Sequence, residues 1–342
     1  MPEARTISAD KPFSWKAFFL QWEWMLLVLF ILVQVANSQL SSYYFNFDKP
    51  GDSAMKLIDA TMTFLDKAFI ALPMAFVIIM GEIDISVGST VALSAVLMGV
   101  SNKAGLPMPA AMCLCLAVGT GCGLLNGVIL TRFKELAPMI VTLSTMIIYR
   151  GIALIILEDQ SVGKFPLWFE FLGWEYVGPS PFMLLAFLVC ALIYGVVLHK
   201  TTFGRQLYAI GSNRTASYFS GVPVDRIRIA VYTLIGLMSG VTALFLTSRM
   251  GSTRPNVAQG YELDVIAMVV LGGVSTSGGK GRMIGVAISV FTVGYLRYGL
   301  GLRNVSAQVL MIIVGLLLIF AVMVPNLRQM AAEWMANRKR AV

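Results

Sequence analysis

Long apolar segments recur along almost the whole chain, and they limit the possible folds more than any other feature of the sequence. A helix needs about 20 mostly apolar residues to cross the hydrocarbon core of a bilayer. Apolar segments near that length, or somewhat shorter, occupy the stretches 18–36, 63–80, 87–101, 108–130, 137–157, 181–198, 227–248, 262–275, 283–297 and 305–324. The pattern predicts an all-α fold, a polytopic membrane bundle of about ten transmembrane helices. The stretches 87–101 and 262–275 are short for a full crossing.

Charged residues are too few for a soluble protein of this size. They make up 13% of the 342 residues, against roughly 25% in a typical soluble domain, while 57% of the residues are hydrophobic. A single globular core could not bury so many apolar side chains, so the bilayer is the natural solvent for them. We treat 1–342 as one transmembrane domain with two terminal tails, 1–17 and 326–342.

The distribution of Lys and Arg between the loops predicts the orientation. If the N-terminus lies in the cytoplasm, the predicted inside segments carry about twice as many basic residues as the outside ones, as the positive-inside rule expects. The tail 1–17, the loop 199–228 and the basic tail 326–342 are then cytoplasmic, and both termini lie inside. The loop 158–180, which is acidic and rich in Trp and Tyr, lies outside. This asymmetry accounts for the net charge of +8 without a nucleic-acid partner.

Residues that could carry out catalysis are scarce. The glycine-rich stretch 272–282 does not match a phosphate-binding loop, because Lys280 is followed by Gly281 and not by Ser or Thr. The only histidine, His199, lies at the edge of a predicted span, which argues against a Ser/His/Asp triad. The four cysteines lie in predicted spans away from it in sequence, so we interpret them as packing residues and not as metal ligands. We expect no catalytic residue, no metal site and no enzymatic activity in this chain.

The loop 199–228, the longest on the predicted inner side, contains the signals of a short helix. Asn213 is a favourable N-cap, residues 214–220 can form two turns, and Gly221 can end them. The sequence by itself allows two interpretations of this helix. It is either a docking element on the cytoplasmic face or an ordinary basic helix at the lipid headgroups.

Several motifs occur in the order and spacing of a known family. They are GEIDISVGS (81–89), GLLNGVIL (123–130), APMIVTLSTMIIYRG (137–151), FGRQLYAIGSN (203–213) and GYELDVIAMVVLGG (260–273), followed by Gly278 and Gly279. With these motifs, residues 60–325 resemble the permease subunits of bacterial ATP-binding-cassette importers for monosaccharides, of the ribose, xylose and galactoside type. The pattern is most similar to the rhamnose-type and autoinducer-uptake permeases.

This resemblance implies a transmembrane permease subunit that moves a monosaccharide, or a related small polyol or furanosyl compound, across the bacterial inner membrane. Its partners would be a second permease, identical or homologous, a cytoplasmic ATPase that binds ATP and Mg, and a periplasmic sugar-binding protein. The chain itself would carry no cofactor. The family fold, that of a type II importer, has inverted halves, so the predicted spans 2–5 and 7–10 should be related. The resemblance also assigns ATPase coupling to Asn213, Arg214, Ala216, Ser217, Tyr218, Phe219, Ser220 and Gly221.

Two carboxylates, Glu82 and Asp84, interrupt the apolar sequence in the first motif. Asp84 could cap the helix that begins near Ser86, in a cytoplasmic turn. It could instead line the translocation pathway, where an ionisable group is costly and therefore usually functional. Glu82 stands where the family has its second glycine, and a carboxylate there would alter a gate that needs close backbone approach. In either case we expect the motif, with Glu82, Asp84 and Ser86, to shape a gate on the substrate pathway.

Further polar residues of the predicted spans are candidates for the substrate pathway. Arg150, in the outer half of its span, could bind sugar hydroxyls, pair with Glu158 or extend to the outer interface. Asn126 suits either an interhelical hydrogen bond or the wall of a cavity. Sugars are neutral and need donors, acceptors and aromatic faces, which the helix of Arg150 supplies in Ser144, Thr145 and Tyr149.

Glu262 and Asp264 open a predicted outer-facing span. Negative charge is favoured at a helix N-terminus, so both residues could stabilise that end of the helix. They could alternatively contact the binding protein. The sequence does not separate these two interpretations.

Two other kinds of transporter compete with an ATP-driven permease. A proton-coupled secondary sugar transporter would use Asp66, Asp84 or Glu82 as the proton carrier. A passive channel has less support, because no polar repeat that could form a ring is visible in the sequence.

Overall fold

The computed structural model describes residues 22–41, 43–45, 50–306, 308–313, 315–317, 319 and 323. Both predicted terminal tails, 1–17 and 326–342, lie outside the described residues. The helices are α1 (Trp22–Leu40), α2 (Pro50–Ala60), α3 (Leu65–Ile79), α4 (Val87–Lys103), α5 (Met108–Arg132), α6 (Pro138–Leu157), α7 (Phe171–Trp174), α8 (Phe182–Lys200), α9 (Thr202–Ser212), α10 (Arg214–Phe219), α11 (Val224–Met250), α12 (Tyr261–Leu271) and α13 (Met283–Leu302).

Short strands and single turns of 3₁₀ helix complete the described chain. The 3₁₀ turns are Thr61–Thr63 and Leu167–Glu170, and the strands are β1 (Val162–Gly163), β2 (Tyr176–Val177), β3 (Ser180–Pro181) and β4 (Ser252–Thr253). Strands β1 and β4 pair antiparallel, and so do β2 and β3. The predicted all-α membrane fold is therefore confirmed in its main feature, since the strands are two residues long.

Six helices of the described part are long and apolar enough to cross a membrane: α1, α5, α6, α8, α11 and α13. The pair Gly51–Thr63 and Leu65–Ile79 is bent by 63° and counts as a seventh if it forms one broken span. The predicted number of about ten is not confirmed. Helices α4 and α12, predicted as spans, have only 17 and 11 residues. The last predicted span, 305–324, is represented by a shorter apolar helix, Gln308–Leu317.

The short helices lie in the interior of the bundle. All residues of α3 are buried, and most residues of α4 and α12 are buried too. Helices α1, α6 and α8 form the outer layer, because they expose large apolar side chains such as Ile31, Ile155 and Leu192. An exposed apolar surface of this extent is stable only against lipid or another apolar surface.

Glycines join α5 to α11. A Cβ atom added at Gly123 would lie 2.1 Å from the carbonyl oxygen of Tyr232, and one at Gly236 would lie 2.3 Å from that of Gly119. Small residues four positions apart let helix backbones approach closely in a membrane, where the hydrophobic effect does not drive helices together. The glycines of α5 and α11 therefore let the two helix backbones lie in direct contact.

The two ends of the bundle can be named by their charged residues. The Glu82 end carries the connections 80–86, 133–137, 201–223 and 272–282, and the Asp66 end carries 104–107, 158–181 and 251–260. At the Glu82 end, the α3–α4 turn meets the α12–α13 loop, where the amide of Gly279 donates to the carbonyl of Ile79 at 2.8 Å. At the Asp66 end, the pairing of β1 with β4 joins two connections.

Candidate functional site

The α3–α4 turn contains the two carboxylates that the sequence singles out, and both are buried. Gly81 opens the turn with a φ of +80°, in the left-handed region that favours glycine. Asp84 accepts hydrogen bonds from the backbone amide of Ser86 at 2.8 Å and from its hydroxyl at 2.7 Å. Ser86 is the N-cap residue of α4, but its side chain makes no hydrogen bond to the backbone of the helix. The Asp84 carboxylate, two residues upstream, instead accepts from both the amide and the hydroxyl of this N-cap residue.

Asp84 is the first member of a chain of buried hydrogen bonds, which we call the Asp84 network. The amide nitrogen of Asn126 donates to the hydroxyl of Ser86 at 2.9 Å, and the Tyr149 hydroxyl donates to the amide oxygen of Asn126 at 3.1 Å. The network connects the turn to α5 and α6. It brings together four residues that the sequence assigns to the pathway.

Burial raises the pKa of the Asp84 carboxyl, and the hydrogen bonds from Ser86 and Asn126 oppose that rise. Within the described residues no Lys or Arg forms an ion pair with Asp84. Polar neighbours alone therefore stabilise the ionised carboxylate. Such a group is sensitive to any motion that opens or closes its hydrogen bonds.

Glu82 forms the centre of an ion-pair group that we call the Glu82 cluster. Arg228 of α11 binds both carboxylate oxygens, with distances of 2.8 Å from Nη2 to Oε1 and 3.0 Å from Nε to Oε2. Its other terminal nitrogen, Nη1, donates to the carbonyl of Leu130 at 2.5 Å. Arg214, the first residue of α10, binds Oε1 at 3.1 Å. The cluster therefore connects the α3–α4 turn with α10 and α11.

Sequence reasoning did not identify Arg228 as a partner of Glu82. A buried carboxylate in apolar surroundings needs a cation. The apolar sequence on both sides of Glu82 was therefore the available sign that this residue has a basic partner. The sequence offers several Arg and Lys residues on the same predicted side. Only the rotation of α11 decides that Arg228 is the one that faces the turn.

A second group of buried charges lies at the opposite end, and we call it the Asp66 cluster. Asp66 binds Arg249 at 2.7 Å and accepts from the Tyr261 hydroxyl at 3.1 Å. Next to it, Asp264 binds Lys67 at 2.7 Å and also Arg297. Four helices, α3, α11, α12 and α13, are connected by these pairs.

The Asp66 cluster changes the interpretation of the acidic start of α12. Glu262 and Asp264 both lie in its first turn, where the helix dipole favours them, but Gly260 is the N-cap residue. The carboxylate of Asp264 binds Lys67 and Arg297, which belong to other helices, and among the described hydrogen bonds it caps no backbone amide of α12. The sequence did not predict Lys67, Arg249 or Arg297 as partners.

Arg150 does not pair with Glu158 among the described contacts. Its Nη1 atom donates to the carbonyls of Pro255 and Val257, at 2.6 and 2.7 Å. The guanidinium group therefore fixes the 251–260 connection at the Asp66 end. Contact with a substrate remains a prediction for this residue.

The remaining pathway candidates of α6 lie on different faces of the helix. Thr145 is buried and donates to the carbonyl of Thr142 at 3.2 Å, on the side of Tyr149. Ser144 is exposed and donates to the carbonyl of Ile140 at 2.8 Å, as hydroxyl groups do when they have no interhelical partner. Ser144 therefore lies apart from the Asp84 network.

The short helix that the sequence predicts in the loop 199–228 is present as α10. The side chain of Asn213 accepts from the amide of Ala216 at 2.9 Å, and Gly221 has a φ of +80°. Tyr218 and Phe219 are 60% and 82% exposed, while Ser217 is buried. Helix α10 thus presents an aromatic surface close to the partly exposed contact of Arg214 with Glu82.

A helical membrane bundle with buried charges at both ends, broken interior helices and an exposed aromatic helix at one end has the construction of a transport protein. Irregular backbone in the interior and ionisable side chains inside a bundle are typical of substrate pathways. The comparisons with known proteins agree with this class.

A permease family, described as "Branched-chain amino acid transport system / permease component", matches residues 57–322. The chain is 35% identical over 327 residues to the "Autoinducer 2 import system permease protein LsrD" of Escherichia coli (strain K12), across 93% of this chain and 96% of that protein. The protein of the same name from Shigella flexneri matches equally well. The one from Escherichia coli O157:H7 is 37% identical over 292 residues, which is 82% of this chain and 88% of that protein. No solved structure matches.

The chain belongs to this family of transport permeases. The predicted class, a permease subunit of an ATP-binding-cassette importer for a sugar-like compound, is confirmed by the family and by the full-length relatives. Such a permease is not itself an enzyme, because ATP hydrolysis takes place in a separate subunit. It is a multi-pass protein of the inner membrane.

Proposed function

We propose that this protein imports a small furanosyl signal of the autoinducer-2 type, or a closely related monosaccharide, across the bacterial inner membrane. The observation that carries the proposal is the 35% identity that extends over 93% of the chain to an autoinducer 2 import permease. Similarity over the full length favours a shared substrate class more than a match confined to one motif. Rhamnose, the other sugar suggested by the sequence pattern, has no comparable support.

Importers of this kind work as assemblies. The proposed partners are a second permease, identical or homologous, a cytoplasmic ATPase that binds ATP and Mg, and a periplasmic protein that delivers the substrate. The chain itself carries no cofactor in this proposal. Helix α10, with Tyr218 and Phe219 exposed, is the element suited to contact the ATPase.

The proposal includes an orientation with both termini in the cytoplasm. Lys134, Lys200, Arg205 and Arg226 lie at or near the connections of the Glu82 end, which supports its assignment to the inside. The proposal also keeps about ten spans with inverted halves. The short helices α4 and α12 then count as spans whose length is sufficient because they are buried in protein.

The Glu82 cluster supports a route for coupling. Closure of the ATPase pair would displace α10, and Arg214 would transmit that displacement to Glu82 in the α3–α4 turn. The turn also holds Asp84, whose network reaches Tyr149 in α6. A rigid-body shift of α10 would therefore alter the hydrogen bonds at the inner end of the pathway, which is the gate we propose.

Transport in reconstituted vesicles tests the proposal. Proteoliposomes containing the permease pair and its ATPase would be supplied with the binding protein, a labelled furanosyl signal and ATP. We expect accumulation that requires both ATP and the binding protein. Equal uptake without ATP would reject the ATP-driven mechanism, and uptake of ribose but not of the furanosyl signal would reject the proposed substrate.

The family match supports the ATP-driven class over the alternative that the sequence left open, a proton-coupled sugar transporter, but one feature of the site fits that alternative. Asp84 is a buried carboxylate with a raised pKa and no cation partner among the described ion pairs, as a proton carrier would be. Asp66 and Glu82 are paired with arginines and fit that role less well. In this case a protonophore would abolish uptake, while deletion of the ATPase would not.

A further inference from the structure

A groove with apolar walls and a basic rim opens between α8 and α13 at the Glu82 end. It encloses about 480 Å³. The wall is formed by residues that recur at helical spacing on one face of each helix: Ala191, Leu192, Gly195, Val196, Met283, Ile284 and Ala287. Leu192 and Ile284 are large and more than half exposed, so this wall faces the surroundings of the bundle.

The rim of the groove carries two cationic side chains, Lys200 and Arg282, and one neutral imidazole, His199. Lys200 ends α8, and no Asp or Glu of the described residues lies within ion-pair distance of it. Arg282 precedes α13, is positioned by Glu23 at 3.0 Å and still exposes 57% of its side chain. His199 accepts the Met283 amide through Nε2 at 3.2 Å, which places its own proton on Nδ1 as a further donor.

We propose that this groove binds one anionic glycerophospholipid, with an acyl chain along the apolar wall and the phosphate at Lys200 and Arg282. The proposed orientation, on which this inference rests, assigns the Glu82 end to the cytoplasmic side, where basic pockets between transmembrane helices are suited to anionic headgroups. The apolar wall disfavours a sugar or a free nucleotide, because these molecules have no apolar chain to place against it. The basic rim attracts a phosphate group. The two features together select a lipid over either a soluble anion or a neutral lipid.

Charge also argues against other occupants. A second copy of the chain in the same membrane, placed on the groove by a twofold axis along the bilayer normal, would put a second basic rim at the same end of the interface. The C-terminal segment 326–342 is basic as well. An anionic lipid is the abundant partner in a bacterial membrane that complements this rim.

Native mass spectrometry of the purified permease in mild detergent tests the proposal. The protein would be mixed with phosphatidylglycerol or with phosphatidylcholine of the same acyl chains. We expect preferential retention of phosphatidylglycerol, and Lys200→Gln should reduce that preference about fivefold, the equivalent of roughly 1 kcal/mol per basic residue near an anionic surface. Lys200→Arg should restore it.

A matched control and a second variant separate the headgroup from the chain. Arg205→Gln removes a basic residue of the same end that does not line the groove, and it should leave retention unchanged. Gly195→Leu should fill the groove, because a Cβ there meets only Met283, at 3.8 Å. It should reduce retention of the lipid, while glycerophosphoglycerol, which has no acyl chains, should not bind to any variant.

Three outcomes would overturn the proposal. They are equal retention of the two lipids by the wild type, equal losses for Lys200→Gln and Arg205→Gln, and binding of glycerophosphoglycerol as strong as that of the lipid. The same spectra report the oligomeric state. If Gly195→Leu changed the dimer fraction and left lipid retention intact, the groove would be a contact between copies of the chain.

Discussion

Glu82→Gln should destabilise the protein strongly, because it leaves a buried arginine without its counterion. The side chains of Glu82 and Arg228 are 6% and 3% exposed, and two short contacts join them. Removal of one partner of such a buried pair costs about 3–5 kcal/mol, since the remaining charge stays desolvated. The Leu130 carbonyl would still accept from Arg228, which places the expected loss near the lower limit, about 3 kcal/mol.

Two further variants separate the pair from the charges that surround it. Arg214→Gln removes a contact whose cation is 44% exposed, so we expect a loss of at most about 1 kcal/mol. The double variant Glu82→Gln with Arg228→Met removes both buried charges. It should recover most of the stability lost by Glu82→Gln, because no uncompensated charge remains.

Unfolding by sodium dodecyl sulfate in mixed micelles, followed by tryptophan fluorescence, measures these free energies. The four proteins, wild type included, would be compared at one pH and one detergent composition. The reasoning is refuted if Glu82→Gln unfolds at the same detergent fraction as the wild type. It is also refuted if the double variant is no more stable than Glu82→Gln, because removal of the unpaired arginine should then have recovered stability.

Three other predictions follow from single features of the structure. Gly123→Ala should cost about 1–3 kcal/mol in the same assay, because its Cβ would lie 2.1 Å from a carbonyl oxygen, whereas Gly121→Ala, which has open space, should be neutral. Ala216→Glu in α10 should leave the amount of protein in the membrane unchanged but uncouple ATP hydrolysis from uptake; normal uptake would show that the ATPase contact lies elsewhere. Because burial raises the pKa of Asp84, the wild type should lose stability relative to Asp84→Asn as the pH rises through that pKa; parallel pH profiles would contradict this.

Local patterns in the sequence were sufficient for the elements of the fold. The apolar runs predicted the bounds of α5, α6, α8 and α11 to within a few residues. A membrane helix must form all its backbone hydrogen bonds within one continuous apolar segment, so that segment marks its length. The N-cap at Asn213 was enough for α10, because capping depends on residues three positions apart. The number of spans was less certain, because short buried helices such as α12 carry no clear length signal.

Only the tertiary structure decided which polar groups meet. The sequence selected Asp84, Ser86, Asn126 and Tyr149 separately, and the packing of α4, α5 and α6 joins them in one network. It also separated Ser144 from that network by the rotation of α6. Hydropathy and capping depend on residues that are close together in the chain, so the sequence reveals them. The partner of a buried charge depends on the rotation and depth of helices that are far apart in the chain. Glu82 with Arg228 and Asp66 with Arg249 are two such pairs.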